Sequence, residues 1–187
     1  MAGRTIQILH SLGCKVQPSS PSIIDLRQTT TSSASSSSSS SSDEGDNNDD
    51  DDQSFIQALL EESRDAAIET YGAASFTVGN VSDDTEIEDI GVLLPHTSAD
   101  KPWEALVHAL TLDLSAFEEP KMLACTIDDG EAGLIKGSKL YNLLSGLEDL
   151  RKVTAATRDD AVLLVAWIGK RRATGTVVAL LGATETT

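Results

Sequence analysis

The sequence predicts an α+β fold in which an antiparallel sheet is covered by two or three helices and follows a disordered, Ser/Asp-rich N-terminal leader. Two apolar runs, 161–168 and 176–181, are rich in β-branched residues and too short to cross a bilayer, as is typical of buried strands. Apolar residues at helical spacing over 102–117 indicate an amphipathic helix. Residues 29–53 are mostly Ser, Thr and acidic, so they cannot bury enough apolar area to fold.

The chain accordingly divides into three regions. These are a leader with short apolar patches over 1–28, a disordered Ser/Asp tether over 29–53 and a single globular α+β domain over 54–187. The apolar patches of the leader, 4–12 and 23–26, are separated by two prolines. They therefore predict either plain disorder or a segment that docks as a peptide or adds an edge strand to the sheet.

The first helix of the domain is predicted to begin at Ser54, which forms a capping box with Gln57, and to end at Gly72. Its apolar face comprises Ile56, Leu59, Leu60, Ala67 and Tyr71. Strands are predicted to follow at 75–81 and 86–94, joined by a polar turn.

The second helix has Pro102 in its first turn and stops before Pro120. Its inward face comprises Trp103, Leu106, Val107, Leu110, Leu114 and Phe117. His108 lies on the opposite face, so we expect it to be an exposed surface residue rather than a catalytic base.

The next segment predicts a hairpin with strands at 122–127 and 131–136 and a turn at 128–130. Ser138 is expected to cap a third, shorter helix, and 151–157 to lead into the final strands. The inner face of that helix comprises Leu140, Leu143, Leu144 and Leu147.

The last two strands form an antiparallel hairpin with a basic tip at 169–175, and 161–168 is expected at the centre of the sheet. The strand 176–181 carries no Lys or Pro to guard it if it lies at the edge of the sheet. Such an edge would bind a partner chain through Thr176, Val178 and Leu180. Its cover is then either the leader around 6–12 or a partner subunit.

The net charge of −16 excludes nucleic acid as an expected partner, because nucleic-acid binders neutralise phosphates with Lys and Arg. No run is apolar enough for a transmembrane helix, and the two cysteines fall in segments of different character, which favours a reducing, cytoplasmic location. The alternative is an organelle, mitochondrion or plastid, because the Ser/Thr-rich first forty or so residues resemble a cleaved transit segment in composition.

We expect no catalytic, cofactor-binding or metal-binding residues. Cys125 is predicted to be buried in a strand, the three histidines lie in separate segments, and the acidic run lacks the glycine and glutamate of an EF-hand loop. The serines Ser40, Ser41 and Ser42 have acidic residues just downstream, which is the pattern that an acidophilic kinase prefers. They are predicted either to be phosphorylation sites or to belong to an unmodified spacer.

The predicted function is that of a non-catalytic adaptor or assembly subunit, which binds a protein partner or a second copy through an apolar sheet edge or helix face. The predicted order of helix, two strands, helix and further strands resembles that of the roadblock and longin-like adaptors, although no residue motif accompanies the likeness. The alternatives are a small enzyme whose site is built from scattered carboxylates such as Asp89, Glu104 and Asp128, or an organellar protein with a cleaved N-terminal segment.

Overall fold

The structure is a computed structural model that describes residues 3–27, 46–79, 87–96, 100–124 and 134–186. Within these residues, four helices and six strands follow one another, with one 3-10 turn at Leu114–Ala116. In chain order they are α1 (Arg4–Ser11), β1 (Ile23–Asp25), α2 (Asp46–Tyr71), β2 (Ile90–Leu94), α3 (Pro102–Ala109), β3 (Lys121–Ala124), α4 (Lys139–Ser145), β4 (Leu147–Ala156), β5 (Val162–Arg171) and β6 (Val177–Glu185). The predicted α+β class is confirmed.

The six strands form one sheet in the order β1-β2-β6-β5-β4-β3. β1 runs parallel to β2, and all other neighbours are antiparallel. β5 and β6 pair from Val162 opposite Glu185 to Lys170 opposite Val177. The predicted C-terminal hairpin therefore exists and lies at the centre of the sheet.

The position of β6 differs from the expectation for 176–181, because β6 has a strand on each side. β5 pairs with one side, and β2 pairs with the other, from Ile90 opposite Leu181 to Leu94 opposite Val177. An edge position for this strand is wrong because β2, far away in sequence, supplies the backbone partners. The helix α1 packs on β6, so the leader provides the cover for its face.

Two hydrophobic clusters, one on each face of the sheet, contain residues from all four helices. α1 and α3 contribute to the first cluster, together with Ala166 and Ile168 of β5. α2 and α4 contribute to the second, together with Trp167. The alternation of adjacent β5 residues between the two clusters is that of a strand buried on both faces. The sheet thus has four helices around it, two on each face, rather than two or three.

The apolar patches of the leader form α1 and β1. Ile6, Ile8 and Leu9 of α1 are almost completely buried, and Ile24 of β1 pairs with Val92 of β2. The sheet and its core therefore include residues 3–27, whereas the sequence placed the globular domain at 54–187.

The helix α2 begins at Asp46, eight residues before the predicted start. Ser54 lies inside the helix, so the predicted capping box is wrong, and the end of the expected tether, 46–53, is helical. The rest of that tether lies outside the described residues. The predicted end is confirmed, because Gly72 has a φ of +67° and stops the helix.

The helix α3 ends at Ala109, earlier than predicted, because Thr111 takes a left-handed conformation with a φ of 58°. Leu114 consequently leaves the predicted apolar face and is 45% exposed. His108 is exposed as expected. Ser138 caps α4 as predicted, since its Oγ accepts a hydrogen bond of 3.1 Å from the amide of Tyr141.

Two of the predicted hairpins differ in the structure. Residues 75–78 form turns rather than a strand, so only β2 remains of the first hairpin. In the second, β3 is present, 134–136 are not a strand, and 125–133 lie outside the described residues. The element order that resembles roadblock and longin-like adaptors is therefore not the observed order.

Three glycines on the α2 face of the sheet allow neighbouring elements to approach closely. A Cβ on Gly91 would collide with Ile56 of α2, and one on Gly182 would collide with Thr77. A Cβ on Gly169 would lie 2.8 Å from the Cβ of Leu147. These positions fix how near the helix, the 75–78 turns and the start of β4 lie to the sheet.

Candidate functional site

Two aspartates are buried on the α2 side of the molecule, and their surroundings differ. Asp52 is 1% exposed and Asp89 is 5% exposed. Ionised carboxylates in the interior need donors or cations around them, so each site shows what the fold supplies locally. We refer to them as the Asp52 site and the Asp89 site.

At the Asp89 site, Asp89 stands just before β2 and accepts hydrogen bonds from the 75–77 turn. Its Oδ1 accepts from the hydroxyls of Ser75 and Thr77, both at 2.6 Å. Its Oδ2 accepts from the amide of Phe76 at 2.8 Å. Burial raises the pKa of Asp89 above the usual value, although these hydrogen bonds oppose the rise. The carboxylate holds the turn in place against the sheet.

A cleft of about 220 Å³ opens beside Asp89, between α2 and the loop before β1. Its charged lining residues are Glu61, Arg64, Glu88 and Asp89. Because both oxygens of Asp89 already accept hydrogen bonds, this carboxylate is not poised to take a proton from a bound molecule. Asp89 therefore gives no geometric support for acid–base chemistry in this cleft.

The Asp52 site consists of Asp52, Arg27, Arg171, Thr174 and Thr176. Oδ1 of Asp52 accepts from Nη1 of Arg171 at 2.7 Å and from the hydroxyl of Thr174 at 2.8 Å. Oδ2 accepts from the hydroxyl of Thr176 and from Nη1 of Arg27 at 3.2 Å. Four donors from two distant segments, the leader and the C-terminal hairpin, thus converge on one carboxylate.

The two arginines carry these contacts outward to further acids. Arg27 binds Asp25 through two parallel hydrogen bonds of 2.9 and 2.6 Å, and its Nη1 also lies 2.9 Å from Asp49. Burial raises the pKa of Asp25, but the hydrogen bonds and charge of Arg27 outweigh it, so the pKa lies below its usual value.

Arg171 binds the start of α2 in two further ways. Its Nη2 lies 2.9 Å from Oδ2 of Asp51, and its guanidinium lies 4.5 Å from the centre of the Phe55 ring. Arg171 thus connects the basic tip of the hairpin to the acidic start of α2.

The outer edge of the sheet is formed by 117–124, which runs antiparallel to β4. Phe117 bridges to Thr157, the amide of Glu118 donates to the carbonyl of Ala156 at 2.9 Å, and β3 continues to Ala124 opposite Arg151. Among the described residues, no strand pairs with the other side of β3. Met122 on this edge is 46% exposed.

The residues predicted to contact a partner lie in the interior. Val178 and Leu180 are completely buried and Thr176 is 7% exposed, its hydroxyl donating to Asp52. They are unavailable as a surface because β6 is enclosed by β2, β5 and the helices. The predicted phosphorylation sites Ser40, Ser41 and Ser42 lie outside the described residues.

The carboxylates of the enzyme hypothesis are not brought together. Asp89 faces α2, whereas Glu104 is on α3, which packs on the opposite face of the sheet. Asp128 and Cys125 lie outside the described residues. Within the described ranges there is no group of His, Cys, Asp and Glu that could hold a metal ion.

The sequence interpretation missed the Asp52 site. Arg27 was assigned to the leader, Asp52 to the tether and Arg171 to a loop tip, so nothing placed them side by side. One feature of the sequence could have predicted the site. The basic tip at 169–175 has the opposite charge to the acidic run that ends at Asp52, so the two could be expected to pair.

No helix in the described part of the chain combines the length and the apolar character needed to span a membrane. No known protein family matches the chain, and neither the curated proteins nor the solved structures show a significant match.

Proposed function

We propose that this protein is a non-catalytic adaptor or assembly subunit that binds a protein partner through the β3 edge. The observation that carries the proposal is the outer side of β3, which has no pairing strand among the described residues and bears the exposed Met122. An open edge presents backbone donors and acceptors that an extended segment of another protein can pair with.

The two halves of the edge differ in how well they are guarded. The first half discourages pairing, because it contains three charged residues and a proline that has no amide hydrogen. These residues are Glu118, Glu119, Lys121 and Pro120. The three residues Met122–Ala124 carry neither charge nor proline. The second half of the edge is therefore the part suited to strand addition.

The buried polar groups also favour binding over catalysis. Among the described residues, the one buried side-chain nitrogen or oxygen without a hydrogen-bond partner is Nε1 of Trp103. The Trp103 ring packs edge-on against Phe117 with 5.9 Å between ring centres, as a core residue does. The buried carboxylates are occupied by internal donors, so none is aimed at a substrate.

The experiment is affinity purification of the tagged chain from native cells, comparing wild type with Met122→Asp. A charge on this edge is expected to abolish recovery of a stoichiometric partner while the melting temperature is unchanged. Ile135→Asp is the matched control, because Ile135 is 60% exposed and lies outside the β3 edge. Equal recovery with wild type and Met122→Asp would contradict the proposed edge.

Salt separates this apolar contact from binding through the acidic surface. A contact between exposed charges weakens as screening increases, whereas pairing at an apolar edge persists. We expect the partner to remain bound in half-molar sodium chloride. Loss of the partner at that salt would assign binding to the acidic surface instead.

The packing of α1 supports a protein that keeps its N-terminal segment, and we propose the cytoplasm as its location. Cleavage near residue 40 would remove Ile6, Ile8 and Leu9 from the core. Mass spectrometry of the native N-terminus tests this, since a mature chain that starts after β1 would support the organellar alternative.

A further inference from the structure

The donors around Asp52 have the composition of an oxyanion site. Two guanidinium groups and two hydroxyls, from Arg27, Arg171, Thr174 and Thr176, converge on its carboxylate. Arginine is favoured where phosphate is recognised, because its planar fork matches the geometry of phosphate oxygens. We propose that these four residues form a binding site for a phosphate monoester, and that Asp52 of the protein's own acidic segment occupies it in cis.

The charges allow the exchange of one anion for another. Arg171 binds both Asp51 and Asp52, which together carry two negative charges. A phosphate monoester carries nearly two negative charges at neutral pH and offers three acceptor oxygens. Displacement of the segment also removes Asp49 from Arg27, so one phosphate replaces most of the negative charge of three carboxylates, while Asp25 stays bound to Arg27.

The internal occupant is built to be replaceable. The first seven residues of α2 are Asp-Asn-Asn-Asp-Asp-Asp-Asp, which are poor helix formers and repel one another at helical spacing. Their helical form depends on two interactions of the acidic side chains. One is with the positive N-terminal end of the helix dipole, and the other is with the two arginines. The segment has little helix stability of its own, so a ligand that takes over its contacts with the two arginines can replace it.

Opening this segment leaves the apolar core intact. The first fully buried apolar residue of α2 is Ile56, and the preceding Phe55 is only partly buried. The two turns before it contribute polar contacts to Arg27, Arg171 and the two threonines. A phosphate ligand can thus displace 46–53 without exposing the second hydrophobic cluster, so the acidic segment acts as an autoinhibitory contact.

The test uses the full chain carrying Asp52→Ala, whose thermal unfolding is measured in sodium phosphate and in sodium chloride of equal ionic strength. Phosphate at a hundred times its Kd should raise the melting temperature by about 5 °C or more over chloride. The double variant Asp52→Ala/Arg171→Met should lose this difference. Asp65→Ala, an exposed aspartate on the same helix, keeps Asp52 in the site and should show a clearly smaller difference.

Equal melting temperatures of Asp52→Ala in the two salts, or an undiminished phosphate effect in the double variant, would overturn the proposal. If Asp52→Ala is unfolded in chloride, circular dichroism shows whether phosphate restores the native spectrum, and failure to restore it is equally decisive against the site.

Hydrogen exchange of the wild-type chain tests the competition itself. Phosphate at high concentration should increase amide exchange over 49–53 and leave 56–71 protected. Unchanged exchange over 49–53 would refute the autoinhibitory role.

A phosphoserine peptide and glycerol 3-phosphate then distinguish the source of the phosphate. Tighter binding of the phosphoserine peptide assigns the phosphate to a protein, and tighter binding of glycerol 3-phosphate assigns it to a small molecule.

Discussion

The Asp52 and Asp89 sites differ in where their hydrogen-bond donors come from. The donors of Asp52 are charged or hydroxylic and lie in the leader and in the C-terminal hairpin, up to 124 residues away in sequence. The donors of Asp89 are uncharged hydroxyls and amides, all within 14 residues. One carboxylate joins three remote segments, whereas the other fixes one local turn.

The two sites differ in how much they contribute to the stability of the fold. Removing Arg27 or Arg171 from the Asp52 site costs a large free energy, because a buried charge is left without compensation. The Asp89 site uses neutral donors, and its carboxylate lines a cleft. We therefore expect the first site to contribute more to stability than the second.

The largest effect is expected for Arg171→Met. This change leaves Asp52 with a single nearby cation, and we expect the free energy of unfolding to fall by about 3–5 kcal/mol. Arg172→Met is the matched control, because Arg172 is exposed and its contact with Glu148 is a surface ion pair worth at most about 1 kcal/mol. Denaturant unfolding of the two variants measures both values, and equal losses would mean that the Asp52 site is no stronger than a surface pair.

Asp89→Ala is expected to have a smaller effect. Its donors lose their acceptor, which costs about 1–3 kcal/mol, and water from the cleft keeps the loss in the lower part of that range. Asp113→Ala provides the comparison, since Asp113 accepts from the amide and hydroxyl of Ser115 on the exposed surface. Thermal unfolding should show little change for Asp113→Ala, and a loss for Asp89→Ala that exceeds that of Arg171→Met would reverse the comparison.

The smallest effect is a difference in pH dependence, and it has opposite signs at Asp25 and Asp89. The lowered pKa of Asp25 gives stability that is present above about pH 4 and is lost as the pH falls through the folded-state value. The raised pKa of Asp89 does the reverse, because stability is lost as the pH rises from about 4 through the folded-state value.

The substitutions Asp25→Asn and Asp89→Asn separate these two contributions. Relative to wild type, the stability of Asp25→Asn should improve as the pH is lowered from 5 to 2. The stability of Asp89→Asn should improve relative to wild type as the pH is raised from 4 to 7. Urea unfolding across this range measures both, and parallel pH profiles for the two variants would show that the carboxylates experience the same environment.

The sequence predicted the elements whose signal is local. The run 161–168 is apolar on both faces, so a central strand follows from its composition, and Ser138 caps α4 because a serine before an apolar helical pattern has few other roles. Gly72 ends α2 for the same kind of reason, since a left-handed residue is needed there.

The parts that could not be predicted depend on contacts between distant segments. The sequence predicts disorder, a docking peptide or an edge strand for the leader, and β1 is such an edge strand. The helix α1 is not predicted because a helix of eight residues is held by packing rather than by propensity. The segment 46–53 was assigned to disorder because its helical form requires Arg27 and Arg171, which no local pattern connects to it. The neighbour of β6 was missed for the same reason, because β2 lies more than eighty residues earlier.

The three glycines at 91, 169 and 182 have a consequence for how relatives of this protein will be recognised. Each stands where any side chain would force a helix, a turn or the start of β4 away from the sheet. Surface charges and the length of the Ser/Asp tract can change in evolution, because they do not determine the distance between the sheet and the elements packed on it. A distant homologue should therefore keep glycine at these three strand positions even where the remaining sequence has diverged. It should also keep the apolar β5–β6 hairpin that contains Gly169 and Gly182.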